Sequence, residues 1–67
     1  MQWLKNIRTE KGMTQEMVAV QAKVARAAYS NIETGVRRPS VGVAKRIASV
    51  LGFDWTRFFE DGERRGA

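Results

Sequence analysis

Arg26, Ala27, Ser30 and Asn31 set two long hydrogen-bonding side chains among small ones. The pairs 26/30 and 27/31 are each four residues apart, so on a helix all four share one face. Arginine binds guanine O6 and N7 through two parallel hydrogen bonds, and asparagine does the same for adenine N6 and N7. Ala25 and Ala27 keep that face low, so that Arg26 reaches base edges and their own methyls meet thymine methyls. An α-helix fits the DNA major groove, so the chemistry implied is sequence-specific readout of double-stranded DNA.

The distribution of charge points the same way. The net charge is +5, and residues 23–46 carry all of it. Lys23, Arg26, Arg37, Arg38, Lys45 and Arg46 stand there against Glu33 alone, while the other segments balance to zero. A basic excess confined to one third of the chain favours a polyanionic partner over a merely solvated face. With no cysteine and no histidine, disulfides, Cys/His zinc sites and Ser-His-Asp or Cys-His catalysis are excluded. No cofactor, metal or enzymatic activity is expected.

Sixty-seven residues make one small domain, whose single core supplies roughly 3–5 kcal/mol of net stability. No apolar run reaches the ~20 residues of a membrane span, and no signal-peptide core opens the chain. The expected location is therefore cytoplasmic, without membrane association.

Five short helices account for the apolar pattern, and no strand-type alternation occurs, so the fold class is all-α. The first helix runs from about Gln2 to Lys11, with Leu4, Ile7 and Trp3 inward and Gly12 as its stop. Thr14 caps a second helix whose apolar stripe is Val18, Ala19 and Ala22. The third, Arg26 to Thr34, turns Ala28, Tyr29 and Ile32 inward and ends at Gly35. Val36–Pro39 is a loop, since proline disfavours helical conformation in the residue before it. Ser40 caps a fourth helix from Val41 to Leu51, whose inward set is Val41, Ala44, Ile47, Ala48 and Leu51. Gly52 ends it, and Asp54 caps a last helix over about 55–59. The domain is placed at 1–59, with its two-helix motif at about 15–34. Residues 60–67, which lack an apolar face, are expected to fray.

Several ordered fragments resemble the phage repressor/Cro-like helix-turn-helix family of bacterial regulators, also called the xenobiotic-response-element family. They are Arg8, Lys11–Glu16, Val18-Ala19, Val24, Tyr29–Gly35, Arg37–Ser40, Ile47-Ala48 and Leu51-Gly52, and together they span Leu4 to Phe59. The resemblance implies a compact five-helix repressor-like DNA-binding domain of bacterial or phage origin. Its third helix would enter the major groove with Ala25, Arg26, Ala27, Ser30 and Asn31 facing the DNA. Gln15 would contact a phosphate through its side chain and backbone N–H, helped by the positive end of the second helix. Arg37 and Arg38 would hold the DNA backbone.

The resemblance also implies a structural ion pair between Arg8 and Glu33. That role explains the only acid of the basic third better than DNA contact does. Two positions depart from the family pattern. Lys23 stands where glycine or asparagine takes positive φ, and Ala25 stands where a serine or threonine caps the third helix. Met17 and Val20 replace residues that are usually polar.

The function expected is transcriptional regulation, as a repressor on a two-fold operator. The alternative is the antitoxin of a toxin–antitoxin pair, which binds its own operator and a protein partner. A pure protein-interaction module would leave the basic third unexplained. The expected partners are double-stranded DNA, a second copy of the chain, and a toxin or anti-repressor protein. Phe53, Trp55, Phe58 and Phe59 exceed what a short last helix buries, so Trp55, Phe58 and Phe59 are the candidate homodimer interface, with Trp55 or Phe59 partly exposed.

Overall fold

The computed structural model describes residues 1–60, so most of the 60–67 tail lies outside the described residues. Helices α1 (Gln2–Glu10), α2 (Gln15–Ala22), α3 (Arg26–Thr34) and α4 (Val41–Leu51) follow one another. A fifth helical segment, α5, covers 57–60, after a turn in which Asp54 Oδ1 accepts the Thr56 N–H (3.0 Å) and hydroxyl (2.8 Å). Among the described residues there is no strand.

The same device closes each of the first four helices. A residue of positive φ is followed by an N–H that donates to the carbonyl five residues back: Met13 to Arg8, Val24 to Ala19, Val36 to Asn31 and Phe53 to Ala48. At Gly35 (φ 86°) this conformation is free of steric cost. At Lys23 (φ 59°, ψ 47°) it is not, because the Cβ crowds its own backbone by roughly 1 kcal/mol relative to glycine. The α2–α3 turn nevertheless keeps this conformation, and with it the angle between the two helices of the motif.

α2 is the central element, packed against both α3 and α4, while α1 packs against α3. Its buried face is small, Val18, Ala19 and Ala22, which lets the flanking helices approach closely. Leu4, Tyr29, Ile47 and Leu51 fill the space around it and are essentially inaccessible. Each such side chain contributes roughly 1.5–3 kcal/mol of burial energy. Val41 is a correction. It was expected inward, but it is 49% exposed because, as the first residue of α4, it precedes the turn at which that helix meets the core.

Candidate nucleic-acid interface

Burial of Tyr29, Ile32 and Glu33 fixes which side of α3 remains outside. Arg26 and Ala27 are exposed on its first turn, and Ser30 and Asn31 are half-exposed one turn later. Ala25, also exposed, is extended (φ −61°, ψ 142°) and offers no side-chain oxygen to cap the helix. The side chains of Arg26, Ser30 and Asn31 have no hydrogen-bond partner among the described residues. Asn31 nonetheless works through its main chain. Its carbonyl accepts the N–H groups of Val36 (2.9 Å) and Arg37 (3.1 Å), which ties the following loop to the last turn of α3.

Exposed Arg37 and Arg38 sit on that loop. Beyond them Pro39 is buried and Ser40 caps α4, its hydroxyl accepting the Val43 N–H at 3.2 Å. The two guanidiniums therefore stand on a short strap fixed at both ends. Neither pairs with a carboxylate among the described residues.

Glu33, only 5% exposed, is the hub behind this face. Its Oε1 accepts Arg8 Nε at 2.7 Å and the Tyr29 hydroxyl at 3.0 Å; its Oε2 accepts Gln15 Nε2 at 2.7 Å and Arg8 Nη2 at 3.1 Å. Arg8 Nη1 also donates to the Met13 carbonyl at 2.8 Å. The carboxylate thus joins α1, the start of α2 and α3, and Arg8 extends the network to the α1–α2 loop. Burial is the largest influence on Glu33 and alone would raise its pKa. The hydrogen bonds from Arg8, Gln15 and Tyr29 together outweigh it and hold the carboxyl below its ordinary value. The same burial, with the Glu33 charge alongside, pushes the Tyr29 phenol up, so Tyr29 stays a donor.

The Gln15 side chain is thus engaged inside the protein, a role sequence reasoning did not anticipate. Because a carboxylate only accepts, Gln15 must turn its NH₂ toward Glu33, which leaves one amide N–H for an outside acceptor. Thr14 Oγ1 takes the Met17 N–H at 3.1 Å and leaves those of Gln15 and Glu16 at the open end of α2.

Arg46 was also missed. Counted above only as basic charge, it donates from Nε to the Ala22 carbonyl at 2.8 Å, placing a cation at the C-terminus of α2. Phe58 is a correction: it is 4% exposed and belongs to the core rather than to an outer interface. Trp3 and Phe53 enclose it, with ring centroids 5.3 and 5.5 Å away. Trp55 and Phe59 remain half-buried, edge to face at 6.0 Å, with Lys45 Nζ 5.2 Å from the Trp55 ring. Among the described residues no group of three or more His, Cys, Asp or Glu side chains could hold a metal. No described helix is long and apolar enough to cross a membrane.

Two helices joined by a tight left-handed turn, the second presenting its polar face beside a basic strap, define a helix-turn-helix domain. The chain belongs to the Cro/C1-type helix-turn-helix family, whose family model, described as helix-turn-helix, matches residues 4–58. It is similar to YqaF of Bacillus subtilis (strain 168), described as an uncharacterized HTH-type transcriptional regulator. The two are 61% identical over 59 residues, covering 88% of this chain and 78% of that protein. No solved structure matches the chain.

Proposed function

We propose that this protein is a repressor that occupies a two-fold operator as a homodimer, reading each half-site through α3. As a helix-turn-helix protein similar to a transcriptional regulator, it binds DNA and regulates transcription. The observation that carries the finer reading is the outer face of α3, where the side chains of Arg26 and Asn31 have no hydrogen-bond partner among the described residues and stand among small neighbours. Arg26 reads a guanine and Asn31 an adenine, while Ala25 and Ala27 lie against thymine methyls and Ser30 completes the face. The second amide N–H of Gln15 and the open N–H groups of α2 take one phosphate, and Arg37 and Arg38 take others. Covering promoter DNA is sufficient for repression. Trp55 and Phe59 provide the contact between protomers in the cytoplasm of a bacterial host.

Selection of bound sequences from random duplexes tests the reading, because a two-fold operator returns half-sites as an inverted repeat. On the selected site Arg26→Ala costs about 1–3 kcal/mol and flattens preference at one G·C position. Equal losses on selected and random duplex would make Arg26 a phosphate contact and overturn its assignment.

A further inference from the structure

We infer that the α3–α4 groove is a docking site for an extended acidic protein segment bearing bulky apolar side chains, whose binding displaces DNA. Val24, Ala28, Ile32, Pro39 and Val43 supply the apolar lining of the groove and Ser40 a hydroxyl; its volume is about 220 Å³. Arg37 and Arg38, both solvent-exposed, complete the lining as its basic rim. A cavity of that size is below the usual range for small-molecule sites, roughly 300–1,000 Å³, and suits individual side chains of a peptide.

Charge determines the rest of the occupant. The rim arginines lack a carboxylate partner among the described residues, and the only acid of residues 23–46, Glu33, is buried against Arg8, Gln15 and Tyr29. The occupant must therefore supply its own carboxylates, which guanidinium groups bind in a paired geometry. A nucleic-acid backbone would satisfy the rim and leave the apolar lining uncovered. Val36 and Val41, 72% and 49% exposed, flank the lining segment in sequence and extend its apolar character. The other large exposed apolar side chains among the described residues, Met17 and Val20, line a different depression beside Glu16, where no basic side chain contributes to the lining.

The regulatory consequence rests on the proposal that Arg37 and Arg38 clamp phosphate. Carboxylates bound there occupy the groups that hold the operator, so protein ligand and DNA exclude each other.

The test is a titration of the methyl-labelled full chain with a blocked hexapeptide of alternating glutamate and leucine, and with its lysine–leucine counterpart. The acidic peptide shifts the methyls of Val24, Ala28, Ile32 and Val43, and the basic one does not. The double variant Arg37→Gln, Arg38→Gln weakens the acidic peptide by about tenfold or more, as expected for loss of charge-assisted pairing. Val43→Gln, which is neutral and leaves both arginines free, weakens the acidic peptide by about tenfold or more yet holds operator affinity within about threefold, the range of a change outside the DNA contact. The peptide releases a labelled operator duplex from the parent at concentrations that leave the Val43→Gln complex intact. Equal shifts with both peptides, shifts centred on Met17 and Val20, or concentration-dependent shifts at the groove without peptide would each overturn the proposal. The last result would assign the groove to a second copy. Peptide binding in the groove without release of the duplex would uphold the docking site and overturn the phosphate role of the loop arginines instead.

Discussion

Arg8→Met removes the cation from the Glu33 hub while nearly conserving side-chain length. Breaking a buried ion pair from one side costs about 3–5 kcal/mol, because the remaining charge is left uncompensated. Glu33 would keep its bonds from Gln15 (2.7 Å) and Tyr29 (3.0 Å), which places the loss near the lower end, about 3 kcal/mol. A domain of this size holds only about 3–5 kcal/mol in total, so the variant sits close to its unfolding midpoint at neutral pH. Its pH dependence is the sharper test. In the parent, Glu33 titrates below its ordinary value of 4.5. The unfolded chain therefore binds the proton first, and the hub's stabilisation is present above that pH and lost as pH falls through the folded value. Without Arg8, its hydrogen bond and its charge no longer oppose burial, and the folded pKa of Glu33 rises. The variant therefore gains less stability than the parent as pH rises through this window. Urea unfolding followed by circular dichroism between about pH 3 and pH 7 measures both curves. The gap between parent and variant is widest at neutral pH and narrows in acid. A neutral-pH loss under about 1 kcal/mol, the range of a surface pair, would refute the hub reading. So would a gap that does not change with pH.

Neutralising Arg37 or Arg38 weakens binding to all duplexes alike, and each reduces the salt slope by about one per protomer, measured by fluorescence anisotropy over a salt series. Lys23→Gly relieves the left-handed strain and stabilises the fold by about 1 kcal/mol, raising the thermal midpoint. Sedimentation of the free protein shows a dimer at tens of micromolar, which Trp55→Ala, Phe59→Ala dissociates; a parental monomer, with unchanged cooperative DNA binding by the variant, would exclude this interface.

What the sequence makes legible is local. Thr14 and Ser40 mark helix starts and Gly12, Gly35 and Gly52 mark ends, because caps and positive φ act within a few residues. The inward set of α2, and Tyr29 and Ile32 of α3, follow from periodicity in the same way, whereas Ala28 of the expected set is only half-buried and the buried Glu33 carries no such signal. Less legible is anything set by how distant turns meet. Gln15 and Glu33 lie 18 residues apart, and Arg46 and Ala22 lie 24 apart. Nothing in their spacing tells a phosphate ligand from an amide bonded within the protein, or a solvated arginine from a helix cap. Phe58 belongs to this class too. Four aromatic residues between 53 and 59 exceed what one short segment buries, but which of them turns inward depends on where Trp3 arrives from α1.

Those long-range contacts change the meaning of the basic third. Arg46 is spent on the Ala22 carbonyl, Lys45 lies near the Trp55 ring, and Lys23 is chiefly the residue that makes the α2–α3 turn. All six cations are exposed, but of the arginines only Arg26, Arg37 and Arg38 lie on α3 or on the loop tied to its last turn. In the proposed reading one of them is committed to a base, so a single protomer commits two arginines to phosphate. Non-specific affinity grows with the number of phosphates neutralised, which makes such a protomer a weak binder at physiological salt. A fold with so few cations to spare gains affinity by duplication rather than by more charge, since a second protomer doubles both the phosphate and the base contacts. The same economy makes the loop a natural point of control. When two arginines carry most of the backbone grip, a ligand that takes both from the DNA need cover nothing else.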